Sequence, residues 1–192
     1  MAAVEIRPLA IAGAFEITPR LWSDDRGTFL EWYRSDLLAA LGVTFELRQA
    51  NTSVSRRGVV RGIHFADVPP GQAKHVTVTH GSAIDFVVDI RVGSPTFGHW
   101  DSVLLDAVDH RAVYLAEGLG HAFVALEDDT TVSYLVSGHY DPAHEHAISP
   151  VDPALGIDFP IPATDLVVSE KDAVAPTLAE ALELGILPRW SA

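Results

Sequence analysis

Apolar and polar residues alternate most clearly along Ile84-Asp85-Phe86-Val87-Val88-Asp89-Ile90-Arg91. Ile84, Phe86, Val88 and Ile90 fall on one face, and Asp85, Val87, Asp89 and Arg91 on the other. An apolar outer face with a partly charged inner one suits a strand whose second face lines a cavity. Residues 14–18, 45–53, 59–65, 74–79, 100–105, 112–115, 121–125 and 130–140 also read as strands. Pro69-Pro70-Gly71, His80-Gly81-Ser82, Gly93-Ser94-Pro95, Glu117-Gly118-Leu119-Gly120 and Asp128-Asp129 punctuate them. Many short strands at close spacing predict a sandwich, jelly roll or barrel. Helix is scarce. Residues 35–41 start at Ser35, a capping residue, and stop at Gly42, while residues 176–184 run from Pro176 to a halt at Gly185. The Pro-rich stretch 141–162 predicts a long irregular connection packed on the barrel. Residues 4–9 are extended and partly apolar, fit either to pair with a partner's sheet edge or to fray. No repeat or linker interrupts the chain, so all-β architecture in one domain, residues 1–192, with a few short peripheral helices, is expected.

Composition narrows the function classes. A net charge of −13 argues against a nucleic-acid surface, which needs a broad basic face, but leaves room for a small anionic ligand held by a few focused cations. With no cysteine, disulfides and thiolate metal sites are excluded. Glu5, Arg7 and Pro8 interrupt what a secretory signal would need as its apolar core, and no apolar run is long enough to span a bilayer. A soluble cytoplasmic protein with neither nucleic-acid nor membrane partner is expected.

His144-Glu145-His146, with His139 nearby, offers metal-ligand types, but in a charged, Pro-rich loop where a solvated role is the simpler reading. The strand Ile63-His64-Phe65-Ala66 lacks the second imidazole of a His-x-His pair, so no metal is expected. Arg61-Gly62-Ile63-His64-Phe65 and Gly71-Gln72-Ala73-Lys74 are more informative. A hairpin closed at Pro69-Pro70-Gly71 would place His64 and Lys74 on adjacent strands. There the imidazole can take a proton from carbon beside a carbonyl while the ammonium stabilises the enolate oxygen. A satisfied core histidine and an edge lysine form the alternative. Tyr134 shares a face with Val132 and Val136, fitting core packing or, beside a cavity, proton donation. The segment from Asp24 to Glu31 is either a turn entering a strand or a grip on an anionic ligand with a ring, with Arg26 on phosphate and Phe29 stacking.

Taken in order, these segments resemble the dTDP-4-dehydrorhamnose 3,5-epimerase family. The resemblance is carried by Asp25-Arg26-Gly27 to Glu31, Gln49-Ala50-Asn51-Thr52-Ser53, the Arg61 and Lys74 segments above, and Asp85 to Arg91. It continues through Gly93 to Gly98, Gly118-Leu119-Gly120-His121-Ala122-Phe123, Tyr134 to Ser137 and Ser169-Glu170-Lys171-Asp172, nearly the whole chain. It implies a cupin-like jelly-roll barrel, a homodimer and a dTDP-4-keto-6-deoxyhexose substrate, with no metal or redox cofactor. It also implies His64, backed by Asp172, as base; Tyr134 as acid on the opposite ring face; and Lys74 at the C4 oxygen. His121 and Asp85 would support the pocket. Arg26 and Arg61, with Gln49 and Asn51, would hold the diphosphate, while Phe29, Glu31 and Tyr140 would meet the thymine. Ala122 stands where many members carry Gly after the pocket histidine. The resemblance implies inversion at C3 and C5. Single-centre epimerisation, a silent sugar-nucleotide binding module and a metal-dependent cupin remain as rivals.

Overall fold

The computed structural model describes residues 4–190. Its elements in chain order are β1 (Glu5–Pro8), β2 (Ala14–Thr18), β3 (Leu21–Asp24), β4 (Gly27–Leu30), α1 (Ser35–Ala40), β5 (Gln49–Ser55) and β6 (Val59–Ala66). There follow β7 (Lys74–His80), β8 (Ser82–Val88), β9 (Trp100–Asp106), β10 (Ala112–Leu115), β11 (Gly120–Ala125) and β12 (Thr130–Val136). β13 (Glu145–Ala147), β14 (Val167–Val168), α2 (Glu170–Ala173) and α3 (Leu178–Glu183) complete the set. One sheet runs β1-β2-β10-β7-β12-β5 and the second runs β13-β6-β11-β8-β9, with β14 added on β6. This is the expected all-β, jelly-roll architecture with short helices, although the sheets stay open rather than closing into a hydrogen-bonded cylinder. Among the described residues, no helix is long and apolar enough to cross a membrane.

Side-chain alternation builds three apolar layers. Val76, Val78, Val113 and Val132 from the first sheet meet Ala83, Val87, Leu105 and Phe123 from the second in the central core. The outer face of the second sheet, with Phe86, Val88, Ala122 and Val124, is covered by the later chain through Ile148, Leu155, Ile161 and Leu178. The apolar face read along residues 84–90 is therefore buried under this cover. On the first sheet, Ile17, Ala112 and Tyr114 are covered by Leu38, Tyr33 and Phe45. That cover corrects one strand limit: Phe45 packs edge-on against Tyr33 and Tyr114 instead of starting β5.

Other expectations also change. β12 stops at Val136, where Ser137 binds the backbone of Ala73 and the chain turns away before Tyr140. Residues 5–8 form β1, which pairs with β2 of the same chain and is the edge strand of the first sheet. Ser35 is the first helical residue of α1, with Arg34 at the cap and no side-chain cap bond. α3 is instead closed by a capping box between Thr177 and Glu180. The connection from 141 to 162 is irregular except for β13, which extends the edge of β6.

Asp89 and Arg91 do not line the cavity, since β8 ends at Val88. Asp89 accepts from Arg91 Nε at 2.8 Å, Ser94 Oγ at 2.5 Å and Thr96 Oγ1 at 2.6 Å. Arg91 also reaches the Ala12 carbonyl at 3.0 Å and lies 4.3 Å from the Trp190 ring. This buried pair ties the N-terminal turn, the 93–98 turn and the C-terminal chain to one point. Burial opposes the charge on Asp89, but its donors prevail and hold the carboxyl at about 2. Because this folded value is depressed, the stabilisation is present above the ordinary carboxylate range and lost as pH falls towards 2. Asp89→Asn leaves the Arg91 charge buried without its partner and should cost about 3 kcal/mol or more in chemical denaturation.

Candidate active site

The site begins with a break in the alternation of β6. In the pairing of β6 with β11, His121 faces His64 and Phe123 faces Arg61, so β6 carries one residue more than β11 across this interval. That bulge puts Arg61 and His64, an odd number of positions apart, on one cavity. Gly62 permits it. Its φ is +130°, and a Cβ there would lie 2.4 Å from the Ala122 Cβ. The departure at Ala122 is thus accommodated by a glycine on the facing strand.

His64 and Lys74 share the cavity but are not hairpin neighbours, which corrects the expectation. β6 and β7 belong to different sheets, and the chain after Pro69-Pro70-Gly71 crosses between them. The cavity, about 260 Å³, opens between the sheets, with His64, Arg61 and His121 on one wall and Lys74, Tyr134 and Asn51 on the other. Tyr134 pairs with Val76 and Asn51, while Val136 pairs with Lys74, so Lys74 and Tyr134 are diagonal neighbours on one face. Groups on opposing walls can address the two faces of a flat ligand.

His64 Nε2 lies 2.8 Å from Asp172 Oδ1. Asp172 sits in α2, whose Ser169 cap accepts from the Asp172 amide. Burial opposes the Asp172 charge, but His64, Ser169 and the Gly62 amide hold its carboxyl below the ordinary range. An ionised carboxylate only accepts, so Nε2 carries a proton, and in the neutral ring the lone pair is then on Nδ1. A second pair joins His121 Nε2 to Asp85 Oδ2 at 2.7 Å, fully buried, while Asp85 Oδ1 has no partner among the described residues. The His121 ring meets Tyr134 edge-on at 6.1 Å. Burial raises the Tyr134 phenol well above its ordinary value, with Ser53 partly opposing, so the hydroxyl stays protonated at neutral pH. Burial pushes the Lys74 ammonium down, against the pull of Glu145 and Asp85.

The cavity continues past His64 into a groove of about 370 Å³ bounded by Val167, Ser169, Lys171 and Asp172. Arg61, Tyr140 and Glu145 line both parts. Arg61 Nε is fixed by Ser55 Oγ at 3.2 Å. Gln49 lies behind the wall, donating to Asn51 Oδ1 at 2.7 Å and accepting from the Tyr140 amide at 3.1 Å. Three expected residues are elsewhere. Arg26 and Phe29 project from the β3–β4 hairpin beside Trp22, with Phe29 66% exposed and Arg26 paired to Asp24. Glu31 pairs with Arg34 at 3.3 Å. Gln72, Glu145 and Lys171 also line the cavity and its groove, beyond the residues expected there. Gln72 and Lys171 lay inside quoted motifs, and Glu145 inside the His-rich loop weighed for metal. That loop is divided: His144 binds Asp141, His146 binds Asp67, and Glu145 accepts from Gln72. Among the described residues, no three His, Asp or Glu side chains are grouped to hold a metal ion.

The two facing sheets define a jelly-roll protein, and the cavity between them brings His, Tyr and Lys side chains together. The sequence profile of dTDP-4-dehydrorhamnose 3,5-epimerase matches residues 8–180. The dTDP-4-dehydrorhamnose 3,5-epimerase of Mycolicibacterium smegmatis is 56% identical over 96% of this chain and 91% of that relative. A 4-keto-6-deoxy sugar epimerase from the novobiocin gene cluster of Streptomyces spheroides superposes with a TM-score of 0.95 at 53% identity, covering 98% of this chain and 94% of that one. A 3'-monoepimerase from Streptomyces bikiniensis, solved with dTDP-quinovose, gives 0.91 at 48% identity, over 95% and 92%. The chain belongs to the dTDP-4-dehydrorhamnose 3,5-epimerase family, a family of isomerases.

The His64–Asp172 geometry makes a direct spectroscopic prediction. Nitrogen NMR should find the neutral form of His64 protonated at Nε2, and Asp172→Ala should abolish that preference; a dominant Nδ1–H tautomer in the unaltered protein would contradict the assignment.

Proposed function

We propose that this protein inverts C3 and C5 of dTDP-4-dehydro-6-deoxy-D-glucose to give dTDP-4-dehydro-L-rhamnose, acting as one cytoplasmic epimerase domain. The observation that carries this reading is the placement of an Asp-backed imidazole and a protonated phenol on opposing walls, with a buried lysine diagonal to the phenol. The C4 ketone acidifies the hydrogens on both neighbouring carbons. His64 Nδ1 takes the proton, the C–H electron pair moves towards the C4 oxygen, and the Lys74 ammonium stabilises the enolate. Asp172 keeps the tautomer and stabilises the imidazolium. Tyr134 then delivers a proton to the opposite face, the enolate returns to ketone, and both groups re-equilibrate with solvent. The carbon framework neither gains nor loses electrons, so the sequence of steps calls on no redox group.

Arg61, with Asn51 and the Gln49 contact that anchors Tyr140, is assigned to the diphosphate end. A chain of net charge −13 needs such a local positive field to attract a nucleotide. Arg26, Phe29 and Glu31 lie away from their own chain's cavity. In this reading they serve a homodimer, the exposed hairpin extending to the nucleotide end of the second copy's groove. The single-centre alternative is favoured by the Streptomyces bikiniensis relative, which is a 3'-monoepimerase at 48% identity.

Turnover in deuterated water tests the reading. Label at both C3 and C5 of the inverted product is expected, and label at C3 or C5 alone supports the single-centre alternative. Binding of dTDP without exchange at either carbon would establish a silent binding module instead. His64→Ala should lower kcat by about 10²-fold or more while dTDP affinity persists, because the loss belongs to the transition state.

A further inference from the structure

β5 is the edge strand of the first sheet, yet its alternate residues Gln49, Asn51, Ser53 and Ser55 each hold a polar partner near the cavity. Gln49 anchors Asn51 and the Tyr140 backbone, and Ser55 fixes the Arg61 guanidinium. Ser53 Oγ lies 3.1 Å from the Tyr134 hydroxyl, and the two residues come from neighbouring strands locked in register by Val132 opposite Ser53 and Tyr134 opposite Asn51. The ring of Tyr134 packs against those of His121 and Phe123, at 6.1 and 6.4 Å between centroids. Its hydroxyl hydrogen retains one rotational freedom, and Ser53 is its hydrogen-bond partner among the described residues.

We propose that Ser53 is a positioning residue for proton delivery: its hydroxyl aims the Tyr134 hydroxyl and, after delivery, donates to the phenolate left behind. The inference rests on the epimerase reading above. Both roles follow from the hydroxyl being donor and acceptor at once. At rest it accepts from the phenol or donates to it, and in either state it removes the cost of a buried, unpartnered hydroxyl. When Tyr134 transfers its proton to carbon, only a donor helps the resulting anion, and Ser53 becomes that donor by rotating one bond. Burial opposes the phenolate, and the Ser53 contact acts in the opposite sense. Ser53 thus acts through the Tyr134 hydroxyl, the contact the structure gives it. Removing its hydroxyl is expected to weaken the second half of each inversion, reprotonation, more than the first, proton removal.

The test compares Ser53→Ala, Ser53→Thr, Tyr134→Phe and the Ser53→Ala/Tyr134→Phe double variant with the full-length enzyme on the dTDP-4-keto-6-deoxyhexose. Ser53→Ala should lower kcat for inverted product by about 10-fold, the scale of a lost hydrogen bond to a charged group, with KM within about twofold. Solvent deuterium exchange into recovered substrate should fall less than inversion does. Ser53→Thr, which keeps the hydroxyl, should restore most of the rate. In the Tyr134→Phe background Ser53→Ala should add almost nothing, because the two act as one unit. A Ser53→Ala enzyme matching the unaltered one, a loss expressed in KM, or an undiminished effect without the Tyr134 hydroxyl would each overturn the role of Ser53. If the unaltered protein exchanged neither carbon, the epimerase reading itself would fall, and this inference with it.

Discussion

The hydrogen bond between His64 and Asp172 joins two parts of the chain 108 residues apart. It requires that β6 bulge at Gly62 so that His64 faces inward beside Arg61. It also requires that the chain after the last sheet strands wrap the outer face of the second sheet, so that α2 presents Asp172 at the edge of β6. The apolar contacts of Ile148, Leu155, Ile161 and Leu178 hold that wrap in place. In the proposed function, acid–base chemistry at the cavity is therefore coupled to packing on the far side of the sheet.

Opposition of the walls is the second constraint. A base and an acid on adjacent strands of one sheet would reach a flat ring from the same side. In the proposed function, splitting them between sheets lets one withdraw a proton and the other return it across the ring. The inner face of the first sheet brings Lys74, Tyr134 and Asn51 together by cross-strand registry alone, while the second sheet needs its bulge. With a net charge of −13 over the chain, the proposed function relies on the few cations at this gap to attract an anionic ligand.

Much of this was legible in the sequence. The strand between residues 84 and 88 could be read from alternation, down to which face is apolar, because a sheet with one face in the core enforces a period of two. The His64, Lys74 and Tyr134 assignments to a common cavity also stand in the structure. The route between them was misread: Pro69-Pro70-Gly71 looks like a hairpin turn, but whether a turn returns to its own sheet or crosses to the facing one depends on long-range pairing. Asp89 and Arg91 continued the alternation past the end of β8, where side-chain bonding to Ser94 and Thr96 took over from the ladder. Arg61 and His64 fall on opposite faces by simple counting, and only the bulge reunites them. The place of Arg26, Phe29 and Glu31 could not be read from one chain's periodicity, since the hairpin carrying them pairs with neither sheet.

The central claim is that a hexose ring lies between the two walls. A crystal structure with a bound dTDP-4-keto-6-deoxyhexose or an unreactive dTDP-hexose addresses it most directly. His64 Nδ1 and the Tyr134 hydroxyl are expected on opposite faces of the sugar, with Lys74 Nζ within hydrogen-bonding distance of the C4 oxygen. A sugar seated elsewhere, or one with both groups on the same face, would contradict it.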